Sequence, residues 1–435
     1  MTHRMDIIVI GSGLAGLAAA ARAAEAGAAT ALLAKGMGTT HWAAGWVDVL
    51  GYWPRGSSDP VHNPRQALGA LVTEDPDHPY GRAGLAAIEE SLAAFLRAAA
   101  AGGVPYEGSL DRNFLVPTPA GARRPTCLMP RGMRNGADLL KGKTLIAGIA
   151  GQRDFYPSYV CANLRAQGCD ANGELVDVPA VGARHPQTTI TLAAMLEDPR
   201  VRDEMIGALR PHVGGYDRVG LPAVLGLVRH EEVLSAIEAG LGLPVFEIPT
   251  LPPSVPGVRL YEALRMQAAR LGVRIAIGSQ VVERVAQGDR VTAVGTEAAA
   301  RVRRHSADVF ILATGGILGG GIVAGRDGGL RDVALDLPVE GPPARDSWFS
   351  PSALAPQGHA IFRAGIRVNG GMQPVDARGN VVYRNVYAAG AVLAGADVWR
   401  EKSHEGVAWS TGFRAAEAAV ASVDPSIRAG AAHSS

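Results

Sequence analysis

Short runs of apolar residues stand near both ends of the chain, as is typical of strands that a parallel sheet buries on both faces. The runs lie within residues 6–10, 29–34 and 309–312. Between the first two lies an alanine-rich stretch with helical spacing that ends near Gly27. The order strand, helix, strand predicts a βαβ unit, and the third run indicates that the same sheet resumes late in the chain.

The middle of the chain alternates between helical patterns and loops rich in proline, glycine and arginine. Helical spacing recurs near residues 83–101, 155–167, 190–209 and 230–240. We therefore expect an inserted α+β cap domain at residues 81–250, which divides a nucleotide-binding domain into segments 1–80 and 251–435. The proline-rich stretch 246–257 is predicted to be a connector, because proline is excluded from helix interiors and central strands.

Charge and cysteine content narrow the function classes. The chain has 435 residues and a formal net charge of +1 at pH 7, which gives no electrostatic footprint for nucleic acid. Its three cysteines form no CxxC pair, so it lacks the thiolates for an iron–sulfur cluster, and a reducing cytoplasm is expected. The histidines show no metal-ligand spacing, and no apolar run reaches the length of a membrane span.

A glycine-rich turn follows the first predicted strand directly and opens the first predicted helix. The GxGxxG motif comprises Gly11, Ser12, Gly13, Leu14, Ala15 and Gly16. In a dinucleotide-binding fold the first glycine permits the tight turn, the second lets the backbone approach a pyrophosphate, and the third lets helix pack on strand. The helix N-terminus then offers N–H groups to phosphate. This position predicts a phosphate-containing cofactor, and a glycine turn without a ligand is the alternative.

Lys35 ends the second predicted strand, where such folds commonly place an acidic residue that binds the ribose hydroxyls. A lysine side chain is a cation that carries only donors. Three interpretations remain open. Backbone groups hold the ribose, or Lys35 lies over a phosphate or the adenine edge, or the cofactor is a mononucleotide without adenosine.

Several motifs together resemble the flavoprotein subunits of the succinate dehydrogenase, fumarate reductase and L-aspartate oxidase superfamily. They are the GxGxxG turn, the strand that ends in lysine, and the segments TTHWAAG, ILATGG, NVYAAGAVLAG and GVAWSTGFRAAEA. The resemblance implies a two-dinucleotide-binding, Rossmann-like α/β flavoprotein domain whose terminal helix faces the flavin with its N-terminus. Beyond the glycine turn it assigns flavin contacts to Lys35, Thr39, Thr40, His41, Ala43, Ala44, Gly45, Ala313, Thr314, Gly315, Gly316, Gly390, Ala391, Gly406, Val407 and Ala408.

Further blocks resemble the B subunits of the anaerobic glycerol-3-phosphate dehydrogenases along nearly the whole chain. They include VPTPAGARRPTCLMP, RVGLPAVLGL, FEIPTLPPSVPG and GGGIVAGRDG. The resemblance implies an oxidoreductase of anaerobic respiration and glycerol metabolism that oxidises sn-glycerol 3-phosphate to dihydroxyacetone phosphate and passes electrons to quinone. It also implies an FAD-bearing partner, a membrane-associated iron–sulfur partner, and a cytoplasmic location at the inner face of the membrane, reached through one of these partners.

The cofactor is expected to be FMN, which the resemblance implies for the B subunits, or FAD, which the full GxGxxG turn favours nearly as much. FMN would account for Lys35, because no adenosine ribose would need an acid. The strand end Tyr387–Ala391 lacks the aspartate that many flavoproteins place on the ribityl chain, and Asp397 or Asp376 is a candidate replacement. His41 lies near, though not in perfect register with, the histidine that carries covalent flavin in succinate dehydrogenases. We expect a polar residue near the flavin ring there, and a covalent bond to the flavin is the alternative.

Oxidation of a carbinol needs a base for the hydroxyl proton and a cationic site for the phosphate. His404, just before the terminal helix, is the candidate base, and Arg123 with Arg124 is the candidate phosphate site. A positioning role for His404 and a solvated loop for the arginines are the alternatives, and His230 is predicted to lie on a helix surface. The chain is therefore expected to be the dehydrogenase itself. One alternative is a non-catalytic subunit that relays electrons through its flavin and serves assembly of the complex. The other is a stand-alone fumarate-reductase-like enzyme.

Overall fold

The computed structural model describes residues 5–182, 187–298, 301–326 and 328–423. Along these residues the strands are β1 (Met5–Ile10), β2 (Thr30–Ala34), β3 (Tyr106–Gly108), β4 (Phe114–Pro117), β5 (Arg123–Thr126), β6 (Leu128–Pro130), β7 (Lys143–Ile149), β8 (Asp170–Val176), β9 (Arg218–Pro222), β10 (Val245–Ile248), β11 (Arg274–Ile277), β12 (Val281–Gln287), β13 (Arg290–Ala298), β14 (Arg301–Leu312), β15 (Ile322–Ala324), β16 (Leu330–Asp332) and β17 (Val386–Ala388). The α-helices are α1 (Leu14–Glu25), α2 (Pro64–Glu74), α3 (Pro79–Ala83), α4 (Leu85–Ala101), α5 (Pro157–Ala166), α6 (Thr189–Met195), α7 (Pro199–Leu209), α8 (His230–Leu241), α9 (Val255–Arg270), α10 (Val398–Glu401) and α11 (His404–Ser422).

The chain divides into two compact units. The first unit contains the described residues of Met1–Thr39, Asp48–Ala98 and Leu264–Ser435, and the second unit contains those of Thr40–Val47 and Ala99–Ala263. Each unit has a parallel sheet of its own, as the following paragraphs describe.

Packing on α11 explains why most of α4 belongs to the first unit, whereas the sequence placed the border after residue 80. The indole N–H of Trp409 in α11 donates to the carbonyl of Ser91 in α4 at 2.7 Å. The same ring meets Phe95 edge-on, with centroids 5.2 Å apart. The sequence pattern shows that α4 is a helix, but it does not show which helix it packs against.

The first unit is built on a mostly parallel sheet with the order β11-β2-β1-β14-β13-β12, and β17 pairs with β14. Strands β11, β2, β1, β14 and β17 run parallel, while β12, β13 and the first half of β14 are antiparallel. The register places Ile8 beside Phe310 and Val9 beside Leu32, and all four are buried. Because the parallel strands share one direction, the turns that follow β1, β2, β14 and β17 lie at the same edge.

Helix α1 packs against α11 in the first unit. A Cβ on Gly412 of α11 would collide with the carbonyl of Ala15, so only glycine permits this approach of the two backbones. Arg22 of α1 forms an ion pair with Glu417 of α11 at 2.9 Å, and its guanidinium lies 4.7 Å from the ring centroid of Phe413. The close backbone contact at Gly412 therefore holds the terminal helix along the helix that the glycine turn opens.

The second unit is built on a four-stranded parallel sheet with the order β10-β9-β7-β8. Leu145, Ile146 and Phe246 are fully buried in its core. The antiparallel pairs β3–β6 and β4–β5 form two separate two-stranded sheets in the same unit. The prediction of an α+β insert did not anticipate the parallel sheet, because parallel pairing joins strands that a crossover separates in sequence.

Two predicted segments differ from the structure. Residues 190–209 form two helices rather than one, because the carboxylate of Asp198 caps α7 by accepting the N–H of Arg200 at 2.9 Å, and Pro199 begins the new helix. The stretch 246–257 is not a plain connector, since it contains most of β10 and the first turn of α9. That prediction was wrong because an edge strand and the first turn of a helix both tolerate nearby proline.

Candidate flavin site

Close backbone contacts shape the glycine turn after β1. Gly11 has φ +116°, and a Cβ there would collide with the carbonyl of Ala313. A Cβ on Gly16 would collide with the carbonyl of Gly11, whereas the Cβ position of Gly13 has no atom within 4 Å. The first and third glycines are therefore required by packing, and the second faces open space.

The segments after β14 and β17 meet at this turn. A Cβ on Gly390 would stand 2.7 Å from the Cβ of Ala15. A Cβ on Gly316 would collide with the carbonyl of Ala391. The structure of the first unit thus brings together the predicted contacts Gly11, Ser12, Gly13, Leu14, Ala15, Gly16, Ala313, Thr314, Gly315, Gly316, Gly390 and Ala391.

The start of α1 suits a bound phosphate. Its N-cap Gly13 supplies no side-chain cap, and its first turn contains no acidic residue, so no side chain competes for the leading N–H groups. In the neighbouring loop, the Oγ1 atom of Thr314 is buried and has no hydrogen-bond partner among the described residues. An uncapped helix start, open space at the second glycine and a buried hydroxyl without a partner fit the phosphate of a flavin nucleotide.

Residues after β2 run alongside the turn. The carbonyl of Gly36 accepts the hydroxyl of Ser12 at 2.5 Å. A Cβ on Gly38 would stand only 3.0 Å from the Cα atom of Gly13. Lys35, which is exposed, is therefore held at the sheet edge that carries the glycine turn, and the predicted contact Thr39 follows the same path.

Local turns engage both aspartates that the sequence offered for the ribityl chain. Asp376 accepts the backbone N–H groups of Arg378 at 2.8 Å and Asn380 at 2.9 Å, and hydrogen bonds from Asn380 lower its pKa. Asp397 caps α10 by accepting the N–H of Arg400 at 3.3 Å, and burial raises its pKa. Neither arrangement indicates a replacement for the missing strand-end aspartate.

Five further predicted contacts lie in the second unit, on a short segment that packs against the start of α9. The N–H of Ser254 donates to the carbonyl of His41 at 3.1 Å. A Cβ on Gly257 would stand 2.5 Å from the carbonyl of Thr40 and 2.6 Å from that of Ala43. The Nδ1 atom of His41 is buried and has no hydrogen-bond partner within the described ranges. The five contacts are Thr40, His41, Ala43, Ala44 and Gly45.

His404 begins α11, and its side chain is only 19% exposed. Its Nδ1 atom lies 3.3 Å from Oε1 of the buried Glu405. Its ring stacks on Trp399 with centroids 5.3 Å apart and an interplanar angle of 22°. A carboxylate beside an imidazole and an aromatic face behind it hold the ring in one orientation, which a general base requires. The predicted contacts Gly406, Val407 and Ala408 belong to the first turns of the same helix.

Acidic neighbours engage two of the arginines near the hairpin β4–β5. Arg131 forms an ion pair with Glu231. Arg134 lies 3.7 Å from a carboxylate oxygen of Glu107 and 3.6 Å from one of Asp138. Because their charges are compensated, these two arginines are poor candidates for binding an anionic substrate.

Arg123 and Arg124 on β5 have different surroundings. The backbone N–H and the Nε–H of Arg123 donate to the neutral amide oxygen of Gln167 at 3.2 and 3.4 Å. The guanidinium of Arg124 lies 5.7 Å from the ring centroid of Trp46. Both arginines belong to the second unit and His404 belongs to the first, so the predicted base and the predicted phosphate site stand on different units.

His230 is buried, so the prediction of a helix surface was wrong. It is the first residue of α8 and is 3% exposed, and its Nδ1 atom lies 2.8 Å from the carbonyl of Leu225. Its Nε2 atom lies 3.8 Å from Oε2 of Glu247 on β10. Arg259 of α9 binds both oxygens of Glu247, at 2.6 and 3.0 Å. The pattern of α8 could not reveal this cluster, because its charged partners come from another strand and another helix.

The pKa values of Glu247 and His230 are both lowered, but for different reasons. Burial tends to raise the pKa of Glu247, but the positive charge of Arg259 and the hydrogen bonds from its guanidinium outweigh this effect and hold the pKa below its ordinary value. Burial lowers the pKa of His230, against the opposing effect of Glu247. The cluster therefore favours an ionised glutamate, a charged arginine and a neutral histidine.

Within the described residues, no helix is long and apolar enough to cross a membrane. The same part of the chain contains no group of three or more histidine, cysteine or acidic side chains that could hold a metal ion.

The family model for an FAD binding domain matches residues 6–407. The chain therefore belongs to the FAD-binding flavoproteins, its cofactor is a flavin, and the α/β flavoprotein fold is confirmed. A relative from Halobacterium salinarum, named as the probable B subunit of an anaerobic glycerol-3-phosphate dehydrogenase, is 34% identical over 97% of this chain and 99% of its own length. Within the flavoproteins the chain belongs to this B-subunit family, as the sequence motifs predicted.

The chain is also similar to two further proteins. The B subunit of the anaerobic glycerol-3-phosphate dehydrogenase of Yersinia pestis is 32% identical over 95% of this chain and 97% of its own length. Among solved structures, the 3-ketosteroid Δ1-dehydrogenase of Sterolibacterium denitrificans is 11% identical with a TM-score of 0.46, over 97% of this chain and 100% of that chain.

Proposed function

We propose that the chain is the flavin-containing subunit of a complex that oxidises glycerol 3-phosphate to dihydroxyacetone phosphate and passes the electrons to quinone. The observation that carries this proposal is 31–34% identity, over nearly the full chain, to relatives named as the B subunits of anaerobic glycerol-3-phosphate dehydrogenases. The word subunit in those names supports an assembly of several chains. The proposed partners are an FAD-bearing protein and an iron–sulfur protein that reaches the inner face of the cell membrane.

The proposed cofactor is FAD rather than FMN. The match to an FAD binding domain supports it, and so does a complete dinucleotide turn in which each glycine has a distinct packing environment. Lys35 is compatible with FAD if backbone groups hold the ribose. Acid release of the cofactor from the purified chain, followed by mass spectrometry, should yield FAD, and recovery of FMN would overturn this assignment.

A bound flavin supplies hydride acceptance and the release of single electrons. The chain's own residues have three proposed tasks. The glycine turn and the start of α1 hold the cofactor phosphate, and His404, oriented by Glu405, accepts the hydroxyl proton of the substrate. Arg123 and Arg124 bind the substrate phosphate through charge-assisted hydrogen bonds.

Anaerobic titration of the purified full chain with glycerol 3-phosphate tests the function. The absorbance of the oxidised flavin should bleach with glycerol 3-phosphate and persist with glycerol, which lacks the phosphate. A flavin that bleaches with dithionite but not with glycerol 3-phosphate would instead identify an electron relay. Bleaching of the isolated chain by a different hydroxy acid alone would support the stand-alone enzyme.

Two variants separate the proposed tasks. His404→Asn should slow flavin reduction by about 10²- to 10⁴-fold with an unchanged flavin content, because it removes the proton acceptor. Arg123→Gln combined with Arg124→Gln should mainly raise the KM. The matched control is Arg131→Gln, which removes an arginine already paired with Glu231 and should leave the KM unchanged.

A further inference from the structure

The last residue of α10 is a buried acid that no task above uses. Glu401 is 1% exposed and stands three residues before His404 in the chain. A buried carboxylate without partners would be strongly unfavourable. The hydrogen-bond donors around Glu401 therefore indicate its role.

Four donors satisfy the two carboxylate oxygens. Oε1 accepts the Nε–H of Arg55 and the backbone N–H of Asp397, each at 3.1 Å. Oε2 accepts from Nε2 of His78 at 3.1 Å and from the hydroxyl of Ser403 at 3.0 Å. Burial alone would raise the pKa of Glu401, but His78 and Arg55 lower it to about 2.

The hydrogen bonds also determine the proton position on His78. The backbone N–H of Tyr80 donates to Nδ1 of His78 at 3.1 Å, so Nδ1 carries a lone pair. The proton of the neutral ring is then on Nε2, which faces Glu401. His78 is therefore a fixed donor to the carboxylate.

The same residue joins segments that are far apart in the chain. The backbone carbonyl of Glu401 accepts the N–H groups of Gly51 at 2.8 Å and Tyr52 at 3.0 Å. Lys402, which follows, has φ +51°, a left-handed conformation that residues other than glycine rarely adopt. The Glu401 contacts on both sides hold this bend, which directs the chain into α11.

The first turn of α11 is held through the same group of residues. The N–H of Gly406 donates to the carbonyl of Asp48 at 2.9 Å, and the N–H of Val407 donates to that of Ser403 at 2.8 Å. A Cβ on Gly406 would collide with the hydroxyl of Tyr80. Any displacement of the bend at Lys402 would therefore move the turn that carries the candidate base.

We propose that Glu401 is a positioning residue, which fixes the bend before α11 and thereby sets the orientation of His404 and Glu405 toward the flavin site. This inference rests on the proposed flavin function. Glu401 acts through Ser403 and the helix start, and it exchanges no proton during the reaction. His78 and Arg55 belong to the same positioning network.

The test compares Glu401→Gln with Glu417→Gln in the full chain. Both substitutions neutralise a glutamate near or on α11, but the side chain of Glu417 is 24% exposed and pairs with Arg22, which is 30% exposed. In Glu401→Gln the side-chain NH₂ group replaces one carboxylate oxygen, so that a donor faces the donors which that oxygen had accepted. Hydrogen exchange at the amides of Gly406 and Val407 should accelerate at least tenfold, whereas exchange in the glycine turn of α1 should not change.

Kinetics provide the second readout. Glu401→Gln should slow flavin reduction about tenfold at saturating glycerol 3-phosphate with KM and flavin content unchanged, and Glu417→Gln should match the wild type. Unchanged exchange and unchanged reduction in Glu401→Gln would overturn the proposal, and so would an equal loss of flavin in both variants. If Glu401→Gln does not fold, Ser403→Ala serves in its place, since it keeps the charge, removes one donor, and should show the same exchange pattern at smaller amplitude.

The two failures can be told apart. If glycerol 3-phosphate does not reduce the wild-type flavin, the proposed function fails. The exchange measurement still decides whether Glu401 holds the first turn of α11.

Discussion

Each unit contains a glutamate that is only 1% exposed and lies beside an arginine and a histidine, but the two clusters stabilise the buried carboxylate differently. In the first unit, Glu401 accepts four hydrogen bonds, only one of them from an arginine. In the second unit, Arg259 binds Glu247 through two of its nitrogens. Four different groups therefore stabilise the carboxylate of Glu401, whereas the carboxylate of Glu247 depends mainly on one arginine.

The histidines of the two clusters also differ, because only one of them forms a hydrogen bond with its glutamate. His78 receives an N–H at Nδ1 and donates from Nε2 to Glu401. His230 directs Nδ1 to the carbonyl of Leu225, and its Nε2 lies 3.8 Å from Glu247. Loss of one donor should therefore weaken the first cluster partially, whereas loss of the arginine should disable the second.

The largest effect is expected from Arg259→Met. It leaves the carboxylate of Glu247 buried without its counter-ion, which costs about 3–5 kcal/mol of the free energy of unfolding. Urea unfolding monitored by circular dichroism should show this loss. Restoration of stability by the double variant Arg259→Met, Glu247→Leu would confirm the cause, and a loss below about 1 kcal/mol would mean that the ion pair does not dominate the cluster.

Acid should weaken the first cluster next most strongly. The pKa of Glu401 is about 2, against an ordinary value of 4.5. Because the folded pKa is depressed, the stabilisation is complete above pH 4.5 and is lost as the pH falls toward 2, and it amounts to about 3 kcal/mol. Urea unfolding between pH 7 and pH 3 should show this component in the wild type and not in Glu401→Gln. Parallel curves for the two proteins would contradict it.

A smaller dependence on pH is expected from His230. Burial lowers its pKa from the ordinary value of 6.5, so below pH 6.5 the unfolded chain binds a proton that the folded chain excludes. The free energy of unfolding should therefore fall as the pH decreases from 6.5. His230→Gln should flatten the profile between pH 6.5 and pH 5, and an unchanged slope would show that another group titrates there.

The smallest effect is expected from an exposed pair. Arg304 and Glu283 lie 3.1 Å apart, with side chains 67% and 37% exposed. Glu283→Gln should change the free energy of unfolding by no more than about 0.5 kcal/mol, because solvent screens the charges. This variant is the control for the buried clusters. A change above about 1 kcal/mol would mean that exposure does not separate the two kinds of ion pair.

Sequence patterns predicted the features that depend on residues close together in the chain, namely the glycine turn and the terminal helix. The GxGxxG turn, placed between a buried strand and a helix, predicted a cofactor-binding turn, and the structure requires glycine at Gly11 and Gly16 because both meet nearby backbone carbonyls. The helical pattern also predicted the terminal helix, which begins at His404, while the role of His404 as a base stays a prediction. The flavoprotein family followed from motifs spread along the chain.

Other features depend on partners that are distant in sequence. Glu401 reads as an ordinary charge on a short helix, and nothing near it in the chain reveals that Arg55 and His78 will surround it. His230 likewise reads as part of an exposed helix start with two acidic neighbours. The strand order of the second sheet was missed for the same reason, since parallel pairs are separated by whole crossover connections.

The segment from Thr40 to Val47 leaves the first unit for only eight residues, and the second unit is completed by it. Trp46 is 5% exposed and packs with Val116, Met129 and Met133 in one apolar cluster, and the N–H of Val47 donates to the carbonyl of Leu128 at 2.8 Å. A recombinant piece that spans 99–263 would therefore carry a core with one aromatic side chain missing. Anyone dissecting this flavoprotein by truncation would need to supply that octapeptide separately or graft it onto an end of the fragment.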